Sequence, residues 1–155
     1  MPNKFMSLAI EEARKNLKTL HGGPFGACIT KNGKPLVVAR NTVLESGDPT
    51  CHAEINAIRQ AAKILKTHDL SSCEIYSTTE PCPMCFSAIH WAKIKKVYFG
   101  TKTSDVKKYF NELTISDSTL KRLGKSKVAL RPDMMLKECK TLLDDWGAIS
   151  KKPKY

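Results

Sequence analysis

Apolar residues follow a helical period at the start of the chain and alternate with polar residues in the short segments after it. The period predicts a helix over residues 2–20. A hairpin is predicted next: apolar and polar residues alternate over 25–29, Asn32-Gly33 forms a turn, and a return strand follows at 36–39. The remaining pattern predicts a helix at 51–65, a strand at 73–78, a helix opened by Pro81-Cys82-Pro83 and ending at Trp91, strands at 96–100 and 128–130, and a helix at 132–146.

Helices that alternate with short strands indicate an α/β protein. The hairpin is antiparallel, whereas the later strand–helix–strand connections are long enough for parallel crossovers. We therefore expect a three-layer α/β/α sandwich with helices on both faces of a mixed sheet of about five strands. Residues 41–50 predict a loop, and the polar stretch 101–126 predicts a short helix and loop. With no repeat or linker, residues 1–155 are interpreted as a single domain.

Charge is the unusual feature of the composition. The 155 residues include 26 basic and 15 acidic ones, a net charge of +11, and residues 91–155 hold 16 of the basic and 7 of the acidic ones. Such a surface suggests a nucleic-acid partner. However, 21 of the basic residues are Lys and 5 are Arg, the residue suited to bidentate phosphate and base recognition. We favour a solvated Lys-rich surface and keep RNA as the less favoured partner.

The rest of the composition disfavours membrane proteins and exported proteins. No run of about 18 apolar residues exists, so we expect no membrane association. Charged residues at 11–15 fall where a signal peptide needs an apolar core, so a cytoplasmic location is expected. Six cysteines in such a chain then indicate reduced thiols or metal ligands.

Cys82 and Cys85 are candidate metal ligands, because their spacing at a predicted helix start lets both thiols face one point. The positive end of the helix dipole favours the thiolate, which is the form that zinc binds. His52, at the start of another predicted helix, would add a nitrogen ligand. Three protein ligands leave the fourth tetrahedral position to water, as in a catalytic zinc site. A lone C-x-x-C also occurs in redox pairs and structural zinc sites, but no second one completes a four-cysteine site here.

Glu54 follows His52 by two positions and lies in the same predicted first turn. A carboxylate there can reach a metal-bound water without ligating the metal. Zinc lowers the pKa of such a water to about 7, and Glu54 can take its proton and pass it to a leaving amine. The sequence therefore predicts a hydrolytic enzyme with Glu54 as the catalytic residue and one Zn²⁺ per chain, which carries water or hydroxide.

Together, His52-Ala53-Glu54 and Pro81-Cys82-Pro83-Met84-Cys85 match the zinc deaminase signature H-x-E…P-C-x-x-C. From Pro24-Phe25-Gly26-Ala27 to the closing helix, the chain resembles the cytidine deaminase-like superfamily. Asp48-Pro49-Thr50 and Glu80 extend the two motifs, and both extensions are shared by tRNA adenosine deaminases and small bacterial-type guanine deaminases. The resemblance implies the cytidine deaminase-like fold and a purine substrate.

Three segments resemble the guanine deaminase branch in particular. They are His21 to Ala27, Cys82 to Ala92, and the ending Lys151-Lys152-Pro153-Lys154-Tyr155. In that family the last residues exchange onto a partner subunit and help to cover the site, so the resemblance implies a homodimer that can be domain-swapped. The sequence departs from the family at Asn111-Glu112, where bacterial guanine deaminases tend to have two carboxylates.

The resemblance also implies which residues bind the base. Phe25 and Trp91 would stack on its two faces, Asn41 would hold the ring through its amide, and Ala53 would also bind it. Each position has a structural interpretation as well: Phe25 and Trp91 could be core residues, and Asn41 an ordinary turn residue.

Glu112 and Tyr155 complete the implied substrate site. Glu112 would accept hydrogen bonds from the N1–H and exocyclic amine of guanine, a pairing that adenine cannot offer, although by default it is a surface carboxylate. Tyr155 would help to cover the pocket, although a terminal residue is ordinarily disordered.

Hydrolytic deamination of guanine to xanthine and ammonia, a reaction of purine metabolism, is the function that we expect. The zinc-activated hydroxide would attack the purine C2, while Glu54 transfers protons to the ring nitrogen and the departing amine. One alternative is deamination of adenosine to inosine at a tRNA wobble position, which the basic second half favours. Others are a guanosine or cytosine-type deaminase, and a non-catalytic nucleotide- or RNA-binding module that keeps zinc for stability.

Overall fold

The predicted Asn32-Gly33 turn joins the first two strands. In the computed structural model, which describes residues 2–153 and 155, β1 (Gly26–Lys31) pairs antiparallel with β2 (Lys34–Arg40). Asn32 and Gly33 have positive φ values of 51° and 69°, as a type I′ turn requires. Asn and Gly adopt this left-handed conformation at little cost, so the turn favours the observed register of the hairpin.

Three further strands complete a mixed five-stranded sheet. They are β3 (Cys73–Thr79), β4 (Lys96–Thr101) and β5 (Ala129–Arg131), and the strand order is β2-β1-β3-β4-β5. β1 is antiparallel to both of its neighbours, whereas β3 and β5 are each parallel to β4. The predicted combination of an antiparallel hairpin and parallel crossovers is confirmed.

Helices cover both faces of the sheet. On one face lie α1 (Pro2–Arg14) and α8 (Leu136–Gly147), and on the other lie α4 (Ala53–Leu65) and α5 (Pro83–Trp91). The predicted three-layer α/β/α fold is therefore confirmed. Shorter helices connect these elements: α2 (Asn16–Thr19), α3 (Val43–Ser46), α6 (Thr103–Val106) and α7 (Asp117–Gly124). Within residues 2–153, no helix has the length and apolar character needed to cross a membrane.

Some predicted boundaries are wrong. The helix predicted for 132–146 begins only at Leu136, because Asp133 and Met135 have φ values of 63° and 48°, which a right-handed helix does not accept. The helix predicted for 2–20 is divided into α1 and α2, and the predicted loop at 41–50 contains the one-turn helix α3.

One edge of the sheet gathers the loops of four strands. Phe25 precedes β1, whereas Asn41, Glu80 and Lys102 follow β2, β3 and β4. Because β1 runs opposite to the other three, its beginning and their ends lie at the same edge. In open α/β sheets, ligands bind at the carboxyl ends of the parallel strands. This edge is therefore the expected location of the candidate site.

Candidate active site

Three metal-donor side chains meet where α4 and α5 begin. His52 immediately precedes α4, Cys82 immediately precedes α5, and Cys85 lies in the first turn of α5. The Nδ1 atom of His52 is 3.5 Å from the Sγ atom of each cysteine. Zn–N bonds of about 2.0 Å and Zn–S bonds of about 2.3 Å at tetrahedral angles require a nitrogen–sulfur separation of about 3.5 Å. The donor set thus fits three of the four ligands of a zinc ion.

The surroundings of Cys82 favour its thiolate form. A hydrogen bond from the Cys85 thiol, assisted by one with His52, lowers the pKa of Cys82 to about 4 despite the opposing effect of burial. The same hydrogen bond, and burial, raise the pKa of Cys85, so the proton shared by the pair resides there. Burial opposes charging of His52, but its neighbours Cys82 and Glu54 raise its pKa overall. Because metal binding needs deprotonated ligands, binding at this site must release protons.

Glu54 lies beside the metal donors without joining them. It is the second residue of α4 and is only 4% exposed. The Ser77 hydroxyl donates a hydrogen bond of 2.8 Å to its Oε1 atom. Burial, followed by the negative charge of Cys82, raises the pKa of Glu54. A carboxyl group whose pKa is raised in this way binds a proton more readily than an exposed one, which suits a general acid–base residue.

A cavity of about 280 Å³ brings the metal donors and candidate substrate residues together. Its wall includes His52, Cys82 and Glu54. Of the residues that the resemblance implies for the base, the wall also includes Phe25, Asn41, Glu112 and Tyr155.

Aromatic rings form one side of this cavity. The Phe25 and Phe110 ring centroids are 5.1 Å apart, and those of Phe110 and Tyr155 are 5.6 Å apart. The Tyr155 hydroxyl accepts a 2.6 Å hydrogen bond from the backbone N–H of Gly23 in the same chain. The last residue is thereby placed over the cavity of its own chain, and the predicted exchange of this segment between subunits stays a prediction.

Asn41 is held firmly at the cavity wall. Its side-chain oxygen accepts a 3.0 Å hydrogen bond from the Val43 N–H, and its backbone carbonyl accepts a 2.8 Å hydrogen bond from the Asn16 amide. Asn16 is fully buried, and its oxygen accepts a 3.1 Å hydrogen bond from Arg40. The amide of Asn41 therefore has a defined orientation before any ligand binds.

Glu112 is another carboxylate of the cavity wall. It is half-buried, and burial, followed by the charge of Cys82, raises its pKa. Like Glu54, it lines the space next to the metal donors. Glu54 and Glu112 differ in the backbone that carries them, because Glu54 is on a regular helix whereas Glu112 lies in an irregular segment.

Two implied residues are not in the cavity wall. Trp91 is 79% exposed, because it lies six residues after Cys85 and so points about 120° away around the helix axis. Trp91 thus does not line the cavity of its own chain, and its predicted contact with the base stays a prediction. Ala53 is fully buried at the start of α4, behind the cavity wall.

Several cavity residues were given no role in the site from the sequence. Phe110, Asn111 and Glu80 line the cavity together with residues of the β3, α5 and α6 regions: Thr79, Met84, Thr103 and Val106. The sequence offered a signal for Glu80, since this residue extends the Pro-Cys motif of the family. Phe110 had none, because the pair Tyr109-Phe110 in the polar stretch 101–126 has no hydrophobic period around it.

Comparison with known proteins identifies the family. Residues 1–101 match the family model described as the cytidine and deoxycytidylate deaminase zinc-binding region. The chain belongs to this family, and the predicted resemblance is confirmed. The matched range contains His52, Glu54, Cys82 and Cys85, whereas Phe110, Glu112 and Tyr155 lie beyond it.

Relatives of two different activities resemble the chain. It is 43% identical over 101 residues to the guanine deaminase of Bacillus subtilis (strain 168), which covers 65% of each chain. It is 42% identical over 96 residues to the tRNA-specific adenosine deaminase of Aquifex aeolicus (strain VF5), covering 62% of this chain and 63% of that protein. The matches thus span less than two thirds of each relative's length. A solved structure of guanine deaminase from Nitrosomonas europaea superposes with a TM-score of 0.87 at 27% identity, covering 96% of this chain and 86% of that one.

Proposed function

We propose that this protein is a zinc-dependent hydrolase that deaminates guanine to xanthine and ammonia. The observation that carries the proposal is the presence of Glu112 in the same aromatic-walled cavity as the metal donors and the buried Glu54. A carboxylate accepts hydrogen bonds from both the N1–H and the 2-amino group of guanine, whereas N1 of adenine is itself an acceptor. The likeness to the guanine deaminases of two organisms supports the same choice.

The chain's own residues divide the chemistry between them. A zinc ion held by His52, Cys82 and Cys85 would supply the Lewis acidity that makes water a nucleophile near neutral pH. The Ser77 hydroxyl donates its hydrogen bond to the Oε1 atom of Glu54, so Oε2 is available to accept a proton from the attacking water. Glu54 then delivers protons to the ring nitrogen next to C2 and to the departing amine. Water supplies the oxygen of xanthine, and its two hydrogens complete the products.

The remaining cavity residues bind and orient the base. The Phe25 ring offers an apolar face, and the oriented amide of Asn41 can bind the edge of a purine. Tyr155 limits the access of water, because its hydroxyl is anchored to Gly23. A homodimer in the cytoplasm remains part of the proposal, and its dimeric state rests on the family resemblance alone.

Deamination of adenosine in tRNA is the second candidate. A groove lined by Lys107, Lys108 and Lys152 adjoins the cavity across Phe110 and Tyr155, and the Aquifex relative has that activity. Phosphate contacts release counterions, so this function predicts an affinity for RNA that falls steeply with salt. Lys152 argues against RNA binding in this groove, since its Nζ already donates hydrogen bonds to the Gly147 and Ile149 carbonyls.

Ammonia release from the zinc-loaded protein tests the proposal. The substrates are guanine, guanosine, adenine, cytosine and an anticodon stem-loop, and we expect turnover of guanine. Glu54→Gln should keep its zinc but lose at least about 100-fold in kcat, because it cannot carry the proton. Glu11→Gln, an exposed change on α1, is the matched control and should be fully active. Turnover of the stem-loop alone, or an active Glu54→Gln protein, would overturn the proposal.

A further inference from the structure

The cavity depends on a segment with little structure of its own. Residues 103–117, here called the cavity segment, contribute five side chains to the cavity wall beyond Thr103: Val106, Phe110, Asn111, Glu112 and Leu113. Residues 107–116 of this segment belong to no helix or strand. The backbone hydrogen bonds donated by Lys107, Tyr109, Phe110 and Glu112 all remain within the segment. The position of Glu112 relative to the metal donors is therefore set by the packing of Phe110 against Phe25 and Trp146 and by what holds the segment's two ends.

Glu80 holds both of those ends. Its Oε2 atom accepts hydrogen bonds from the Thr103 backbone N–H at 3.1 Å and from the Thr103 hydroxyl at 3.2 Å. Its Oε1 atom accepts a hydrogen bond of 2.9 Å from the backbone N–H of Asp117. Thr103 is the first residue of the segment and Asp117 is the last. One carboxylate thus closes the segment into a loop.

Glu80 is also fixed on the side of the metal donors. It is 9% exposed and lies between the end of β3 and the start of α5. Its backbone N–H donates a 2.7 Å hydrogen bond to the Thr101 carbonyl of β4. Two residues later the chain reaches Cys82, so a short and immobile stretch separates the carboxylate from a metal donor.

We propose that Glu80 is a positioning residue that sets the placement of Glu112 opposite the reacting edge of the base. This role rests on the proposed function, because it takes Glu112 to be the group that recognises guanine. If the side chain at position 80 could accept hydrogen bonds from only one end of the segment, the N–H at the other end would lose its partner. That end of the segment would then be free to move. Glu54 and the metal donors would keep their places, because their helices do not depend on the segment. The expected loss is therefore one of substrate binding.

The test compares Glu80→Gln with Glu74→Gln. In the first variant the amide nitrogen replaces one accepting oxygen, so one end of the segment is released. Glu74 lies on the same stretch of chain, in β3, and is bridged to Lys96 on the surface, so its variant is a matched control. Hydrogen exchange should accelerate about tenfold within residues 103–117 of Glu80→Gln and should be unchanged in β3 and α4. Glu74→Gln should leave the segment unchanged.

Kinetics separate positioning from a merely structural role. We expect Glu80→Gln to raise KM for guanine about tenfold while kcat changes by less than about threefold and the zinc content stays the same. Partial unfolding would instead lower the apparent kcat at constant KM. If Glu80→Gln does not fold, Thr103→Val removes a single hydrogen bond and should give a smaller change of the same kind.

The outcomes also distinguish this proposal from the function it rests on. A wild-type protein that leaves guanine untouched would refute the function, and the exchange experiment would still decide whether Glu80 holds the segment. Unchanged exchange at 103–117 in Glu80→Gln, or equal acceleration over the whole chain, would refute the positioning role. So would a loss confined to kcat.

Discussion

Asp117 is an acidic residue in a place where a charge is costly. Its side chain is 0% exposed, and neither carboxylate oxygen has a hydrogen-bond partner among the described residues. Burial is the main cause that raises its pKa to about 9, and the negative charges of Glu80, Glu54 and Cys82 add to it. The folded protein therefore keeps Asp117 neutral at pH 7, whereas the unfolded chain ionises it.

We predict that Asp117→Asn stabilises the protein more as the pH rises. Below about pH 4 both states of the wild type bind the proton, so the carboxyl adds no pH dependence. Between about pH 4 and about pH 9 the unfolded state has lost it and the folded state has not. The wild type therefore loses at most about 1.4 kcal/mol of unfolding free energy per pH unit, a loss that Asn escapes.

Thermal unfolding at pH 5, 6, 7 and 8 measures this effect. The melting temperature of Asp117→Asn should exceed that of the wild type by at least about 3 °C at pH 8, and the difference should shrink steadily towards pH 5. Asp145→Asn, a change on the exposed face of α8, controls for the loss of one acidic residue and should show no such growth with pH. A variant that is less stable than the wild type at every pH would contradict a neutral, unpartnered Asp117.

Sequence reasoning reached the residues whose roles are set by local spacing. His52, Cys82 and Cys85 lie at helix starts, where spacing along the chain almost determines direction in space, and the structure brings all three together. The role of Trp91 was taken from a resemblance and stays a prediction, because its position on α5 points it to the surface of its own chain. Phe110 was missed because its neighbours are distant in sequence.

At the level of elements, the same distinction separates what could be predicted from what could not. The hairpin, α4, α5 and β3 follow periods that extend over several residues, so their positions were predicted to within a few residues. One-turn helices such as α3 and α6 have no period to detect. The cavity segment is held by Glu80 from across the sheet edge, an interaction that no pattern along the chain encodes.

The approach of α1 to β1 yields a prediction about packing between elements. A Cβ atom at Gly26 would collide with the backbone carbonyl of Ala9 and press on the side chain of Ala13, both buried in α1. Because backbone cannot move aside cheaply, Gly26→Ala should cost about 3 kcal/mol of unfolding free energy. Denaturant titration measures this cost.

Gly124→Ala is the matched control for this change. A Cβ atom at Gly124, the last residue of α7, meets nothing within 4 Å. Alanine there should be neutral or stabilising by up to about 1 kcal/mol, because it favours the helix. Equal effects of the two substitutions would contradict the close contact between α1 and β1.

Across the whole molecule, the metal donors and the carboxylate proposed to recognise guanine come from different parts of the chain. The range that matches the family model contains every metal donor and Glu54. Phe110, Glu112 and Tyr155 come from the remaining third, which also carries most of the excess positive charge. Under the proposed function, changes to substrate choice should therefore be sought first at Glu112 and its neighbours in the cavity.

The metal donors join the starts of two helices, but they lie outside the clusters that form most of the core. One cluster lies between α4, α5 and the sheet, and the other between α1, α8 and the sheet. We therefore predict that removal of zinc with a chelator leaves the far-ultraviolet circular dichroism spectrum unchanged and lowers the melting temperature. With zinc at 1,000 times its Kd, binding adds about 4 kcal/mol, or about 10 °C for a chain of this size.

Two cysteine variants identify the origin of that shift. Cys82→Ala lacks a donor, so its melting temperature should not respond to the chelator. Cys28→Ala removes a buried thiol from the opposite face of the sheet; it should be less stable than the wild type yet lose the same further amount when zinc is removed. These effects add because the two sites share no partners. A metal-free protein without a cooperative transition would mean that zinc is needed for folding itself, and a shift retained in Cys82→Ala would place the metal elsewhere.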